Sequence, residues 1–111
     1  MKKIFLLIII TLLICSCSKT KLEKYKEIMN EKEYVIIDVR TKEEFNESHL
    51  VNALNIPYNE IDESINIDKE VVVFVYCRSG NRSNIAKNTL QSLGYTVYDL
   101  GAFDNIDLPK E

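Results

Sequence analysis

The sequence predicts an α/β fold, a central and mainly parallel sheet flanked by helices in three layers. Three observations carry this. Val71 to Tyr76 is an unbroken run of six apolar or aromatic residues, the composition of a strand covered on both faces. Tyr34 to Val39 is a second such run with polar ends, again suited to the sheet interior. Between and after them, segments of helical period alternate with short strand-like runs, the order that gives parallel strands joined by right-handed crossovers.

The elements follow in chain order. Ser18 to Lys21 is a short polar tether, and Lys21 to Asn30 places Leu22, Tyr25, Ile28 and Met29 on one face of a first helix. The strand at Tyr34 to Val39 comes next. Thr41 with Glu44 forms a capping box that opens a short helix running to about Glu47. Ala53 to Ile56 reads as a short strand. Pro57 then opens a helical turn through Ile65, with Tyr58, Ile61 and Ile65 inward. After the strand at Val71 to Tyr76, helical spacing of Ile85, Ala86, Leu90 and Leu93 from Ser83 onward marks a longer helix, stopped by Gly94. Thr96 to Leu100 is a last strand, and Gly101 starts a terminal segment of weak pattern.

Residues 1–16 stand apart from this domain. Lys2 and Lys3 precede an apolar stretch from Ile4 to Ile14 that carries one threonine, too short for an ordinary spanning helix and suited to a signal-peptide core. It ends in Ile14-Cys15-Ser16-Cys17, which resembles the lipobox of bacterial lipoproteins. That resemblance implies cleavage after Ser16, lipidation of Cys17, and a tether over residues 17–20 ahead of a domain spanning 21–111. It implies a place in the bacterial cell envelope, anchored to a membrane by lipid and facing away from the cytoplasm. An ordinary secretory signal or an uncleaved anchor are the other readings.

Cysteine usage sharpens the picture. With Cys15 removed and Cys17 lipidated, Cys77 is the only free thiol, so neither an intramolecular disulfide nor a resolving partner is expected. Removal of the first 16 residues also takes Lys2 and Lys3. Twelve basic residues then face seventeen acidic ones, a net charge near −5 that argues against nucleic-acid or anionic-lipid binding. Against this acidic background two of the three arginines, Arg78 and Arg82, sit in one loop, which suggests an anionic substrate.

That loop is Cys77-Arg78-Ser79-Gly80-Asn81-Arg82-Ser83. A cysteine where a strand ends and a helix begins has backbone amides and the positive end of a helix dipole facing its sulfur. Two nearby arginines add to the field, and both effects favour a nucleophilic thiolate. Cys77 is therefore the catalytic candidate. The alternative is a buried, inert cysteine.

The loop after its Val-rich strand resembles the active-site loop of rhodanese-type sulfurtransferases. Asp38-Val39-Arg40, Glu43-Glu44-Phe45, Ser48-His49-Leu50 and Asn52-Ala53-Leu54-Asn55-Ile56-Pro57 follow in the family's order, so the resemblance covers roughly residues 20 to 105. It implies the rhodanese-like three-layer fold, and a double displacement through a Cys77 persulfide without metal or cofactor. The thiolate would take the outer sulfur of a small anionic donor such as thiosulfate and pass it to cyanide or a thiol. The amides of Arg78 to Ser83 would cradle the sulfur, Gly80 letting the backbone curl closely around it. Arg82 would steady the loop or the anion, Arg78 would attract the donor, and Asn81 would be a neutral loop residue. Asp38 and Arg40 are expected as scaffolding, bonding loop backbone or pairing with acids such as Glu44. His49, the only histidine, is expected to be structural, with general-base catalysis as its alternative. Ser48 and Asn52 stand where the family often has glycine, and Gly101-Ala102-Phe103 replaces its glycines and tryptophan.

Two other functions stay open at this stage. One is a membrane-tethered persulfide carrier or binding module. The other is a cysteine-dependent phosphatase or arsenate reductase, whose loops have five residues between cysteine and arginine where this chain has four, a narrower cradle.

Overall fold

The computed structural model describes residues 19–111. The signal segment, Cys15 and Cys17 lie outside the described residues. Helix α1 spans Lys21–Glu31, capped by the Thr20 side chain, which accepts from the Glu23 amide. Strand β1 is Tyr34–Asp38. Helix α2, Lys42–Glu47, opens with the expected capping box between Thr41 and Glu44. Strand β2 is Leu54–Asn55, β3 is Val72–Cys77, helix α3 is Asn81–Ser92 and β4 is Val97–Ala102. The four strands lie in the order β2-β1-β3-β4 and every pairing is parallel. This is the α/β architecture the alternation predicts, with β1 and β3 interior.

The two-residue period of a strand divides the core into two layers. Val73, Val75 and Cys77 face one side of the sheet, where Ala86 and Leu90 of α3 pack with Ile61, Tyr95 and Val97. Val72, Phe74 and Tyr76 face the other, against Leu50, Ala53 and Ile106, with Tyr25, Ile28 and Met29 of α1 and Phe45 of α2 over them. Every residue of β3 is buried, so the strand is unbrokenly apolar and not alternating. Cys77 and Tyr76, adjacent in sequence, therefore work on opposite faces.

Several expectations need correction. The turn after Pro57 is a single 3₁₀ turn, Tyr58–Glu60, and does not reach Ile65. Ile61 caps it in extended conformation, and beyond it the Asp62 carboxylate accepts from the Ser64 amide at 2.8 Å, a local bond that competes with helix. Helix α3 begins at Asn81, two residues before Ser83, because Gly80 turns the chain at φ +95° directly into the first helical residue. Ile85 is on the exposed face of that helix, 45% accessible, and is not a core position. The last strand does not stop at Leu100. It continues through Gly101 to Ala102 by way of a register shift opposite Val75 and Tyr76. The chain then folds back, and His49 and Glu111 exchange backbone hydrogen bonds of 2.9 Å in each direction.

The two glycine departures also find their reasons. Asn52 sits at φ +66°, the left-handed region where asparagine is the best tolerated non-glycine residue. Ser48 is extended at φ −170°, a conformation that any residue adopts. Replacing Asn52 by Ala is expected to lower the unfolding free energy by about 1 kcal/mol, while Asn52→Gly stays within a few tenths. Urea titrations of the two variants check this, and equal losses in both would contradict it.

Candidate active site

Cys77 is the last residue of β3, at the carboxyl end of the sheet, where open parallel sheets place their ligand sites. Its side chain is fully buried. The Gly80 amide donates to Sγ at 2.9 Å, and the Ser83 hydroxyl lies 3.4 Å from it. Ser83 donates in turn to the Gly80 carbonyl at 3.1 Å, which closes the loop into a tight ring over the sulfur. No Cβ at position 80 would meet any atom within 4 Å. Glycine is thus required there by its positive φ, not by space. Of the amides expected to cradle the sulfur, Gly80 is the one that donates to it among the described residues; those of Asn81 to Ser83 begin α3. Arg78, Ser79 and Asn81 are exposed, Gly80 is half-buried and Ser83 is buried.

The two loop arginines have different fates. Arg82 turns back to α2 and grips the Glu44 carboxylate with both arms, Nη1 to Oε1 at 2.7 Å and Nη2 to Oε2 at 3.1 Å. That hydrogen-bonded fork, together with the Thr41 amide and hydroxyl, outweighs burial and holds the Glu44 carboxyl down at about 2. The Glu44 hydrogen bonds in turn raise Arg82 further. Arg82 thereby ties the start of α3 to α2. Arg78 makes no ion pair among the described residues.

Asp38 and Arg40 bond each other: Arg40 pairs with Asp38, not with Glu44. The Arg40 guanidinium forks onto the buried Asp38 carboxylate at 2.6 to 3.0 Å, and Nη2 also donates to the Ser48 carbonyl at 2.6 Å. Burial alone would lower the Arg40 pKa; the Asp38 bond reverses this and raises it. Tyr76 completes the network from β3, donating to Asp38 Oδ2 at 2.7 Å and accepting from the Leu50 amide at 3.0 Å. Burial raises the Tyr76 hydroxyl well above its ordinary pKa, so it stays a donor. Asn55 adds two bonds, to the carbonyls of Asp38 and Arg40 at 3.0 and 3.1 Å.

His49 is structural in its contacts. Its ring stacks on Phe45 at 3.8 Å, with Nδ1 2.8 Å from the Phe45 carbonyl and Nε2 3.2 Å from Glu111. Neither ring nitrogen contacts Cys77.

Beside the loop lies a pocket of about 170 Å³ lined by Arg40, Glu44, Glu47, Ser48, Arg78, Phe103 and Asp104. Phe103 forms part of its wall, stacked over Tyr76 at 5.7 Å and under the Arg40 guanidinium at 4.3 Å. Glu44, Tyr76 and Phe103 belong to the site; the sequence presents Glu44 as a helix cap and an acid for Arg40, Tyr76 as a core residue and Phe103 as a departure from pattern. The sequence names Glu44 as an arginine's acid, and the structure gives it to Arg82 in place of Arg40. No cluster of metal-ligating side chains occurs among the described residues.

The model of the rhodanese-like domain family matches residues 21–106. The thiosulfate sulfurtransferase PspE of Escherichia coli is 41% identical over 78 residues, covering 67% of this chain and 75% of its own length. An adenylyltransferase and sulfurtransferase of Ogataea parapolymorpha is 40% identical over 62 residues, but the match spans only 16% of that larger protein. Among solved structures, a rhodanese with anions from E. coli superposes with a TM-score of 0.65 at 35% identity, covering 70% of this chain and 96% of that one. The chain belongs to the rhodanese-like domain family.

The sign of the acid response follows from Glu44. Its folded pKa lies near 2 against an ordinary value of 4.5, so the stability it contributes is present above pH 4.5 and is lost as pH falls towards 2. The loss is expected to be about 2 kcal/mol, allowing for solvent screening of a partly exposed pair. Glu44→Gln should remove that part of the acid transition, measured by urea unfolding at stepped pH. An unchanged acid slope in the variant would contradict the assignment.

Proposed function

We propose that the protein is a sulfurtransferase of the rhodanese type, working through Cys77. The observation that carries this is the buried Sγ at the end of β3, held by the Gly80 amide at 2.9 Å under a loop that opens α3. A persulfide built on that sulfur would have an amide donor and a helix N-terminus to stabilise its negative charge. In the first half-reaction the Cys77 thiolate attacks the outer sulfur of thiosulfate. The donor's S–S bond breaks, sulfite leaves with the electron pair, and Cys77 carries the persulfide. In the second, a thiolate or cyanide attacks the terminal sulfur and Cys77 is released as thiolate. Arg78, exposed and lining the pocket, attracts the anionic donor, while Arg82 serves the loop through Glu44.

This arrangement suits sulfur transfer better than phosphoryl transfer. A tetrahedral oxyanion would need Arg82 facing it, and that guanidinium is bound to Glu44. The carrier reading uses the same persulfide and differs only in whether the acceptor is a small thiophile or a partner protein.

The same proposal places the protein in a bacterial cell envelope, outside the cytoplasm and anchored by lipid on Cys17. Support comes from the Lys2-Lys3 and Ile4–Ile14 pattern ahead of Ser16-Cys17. No described helix is long and apolar enough to cross a membrane. Residues 18–20 then tether the domain.

Steady-state assays with thiosulfate and cyanide test the mechanism. The expected result is thiocyanate formation with parallel double-reciprocal lines, and at least about a thousandfold loss in Cys77→Ser. Intersecting lines, or turnover in Cys77→Ser within tenfold of the parent, would overturn it.

A further inference from the structure

The charges around the pocket are largely spent on each other. Arg40 is bound to Asp38, and Arg82 to Glu44. Among the described residues, that leaves Arg78 as the pocket arginine outside an ion pair, with Lys110 near the rim, 4.9 Å from the Phe103 ring centroid. Against these stand the exposed carboxylates of Glu47 and Asp104 on the same walls. The mouth therefore offers no net positive charge, although thiosulfate is a dianion. Glu44 is the pivot of this balance. Its Oε1 is pinned to α2 by the Thr41 amide and hydroxyl, each at 3.2 Å, so the carboxylate is fixed where it meets Arg82. Arg82 also precedes Ser83, whose hydroxyl lies 3.4 Å from Cys77 Sγ, so this pair sits at the catalytic loop.

We propose that Glu44 is a specificity-determining residue: by binding and cancelling the Arg82 guanidinium beside the pocket, it makes the site favour singly charged sulfane donors over the thiosulfate dianion. This rests on the sulfurtransferase reading and adds the charge class of the donor. The chemistry is the same for both classes. With methanethiosulfonate, a monoanion, the Cys77 thiolate takes the outer sulfur. The S–S bond breaks and methanesulfinate leaves with the electron pair, just as sulfite leaves from thiosulfate. Only the charge of donor and leaving group differs, so the pair isolates the electrostatic term.

The test compares kcat/KM for thiosulfate and for methanethiosulfonate at saturating cyanide, in the full chain, for the parent, Glu44→Gln and Asp104→Asn. Glutamine keeps the capping box while removing the charge. The ratio of thiosulfate to methanethiosulfonate is expected to rise about fivefold in Glu44→Gln, mainly through the thiosulfate KM, and to return towards the parent value at high salt. Asp104→Asn, on the exposed rim, should raise it about twofold. Loss of folded enzyme or damage to the loop lowers both donors together and cancels in the ratio. A ratio that is unchanged or lower in Glu44→Gln, with Cys77 still turning over both donors, overturns the proposal and leaves the sulfurtransferase reading standing. Should Glu44→Gln not fold, Arg82→Gln takes its place: it leaves the Glu44 carboxylate uncancelled on the pocket wall, so the ratio is expected to fall severalfold, and a ratio unchanged or higher does the same. Failure of the parent to take sulfur from either donor would instead remove the underlying reading, and this inference with it.

Discussion

The hydrogen bond from the Gly80 amide to Cys77 Sγ is the contact on which the site depends. It requires three things at once. The sulfur must sit at the last position of a fully buried strand, the chain must reverse within three residues, and a helix must start at the reversal. Glycine at φ +95° supplies the reversal at little conformational cost, where another residue would be strained. The helix then aims its free amides and dipole at the same point. The Ser83 hydroxyl, bonded to the Gly80 carbonyl, locks the ring from within α3. Sulfur chemistry here is a property of a strand–loop–helix joint, not of one residue.

That joint needs a rigid neighbour, and the opposite face of the sheet provides it. The buried Asp38 carboxylate gathers Arg40 and Tyr76, so the ends of β1 and β3 are cross-linked by charge-assisted bonds below the pocket. The cost of burying two charges is offset only because their bonding is filled: no buried side-chain nitrogen or oxygen among the described residues lacks a partner. The network reaches outward through the Ser48 carbonyl and Leu50 amide to the segment that follows α2. Glu44 on α2 in turn holds Arg82 on α3. One ion pair thus braces the end of β1, and the other joins the two helical layers across the catalytic end of the sheet. They also leave the mouth with little free positive charge.

Much of this was legible in the sequence because it is local. The β-branched run before Cys77, the capping box at Thr41 and Glu44, and the interior place of β1 all follow from residue pattern over a few positions, and the structure has them. The order of motifs around Asp38, His49, Asn55 and Cys77 gave the family. What could not be read was set by tertiary geometry. The bond from Tyr76 to Asp38, and the pairing of Arg82 with Glu44, each across 38 residues, depend on which strand ends and helices lie side by side. The register shift that carries β4 through Gly101 is likewise decided by its partner strand. Ile85 fits the helical stripe in sequence, yet α3 meets the sheet through Ala86 and Leu90 and leaves it outside. The early start of α3 came from the sign of one φ angle at Gly80, which composition only hints at.

The central claim is that a sulfur atom rests covalently on Cys77 between the two half-reactions. Intact mass of the protein before and after incubation with thiosulfate, beside Cys77→Ser, tests it most directly. The account predicts a gain of one sulfur atom on the parent alone, removed again by cyanide with release of thiocyanate. The same gain on Cys77→Ser, or no gain on the parent with thiosulfate or any other sulfane donor, would contradict it.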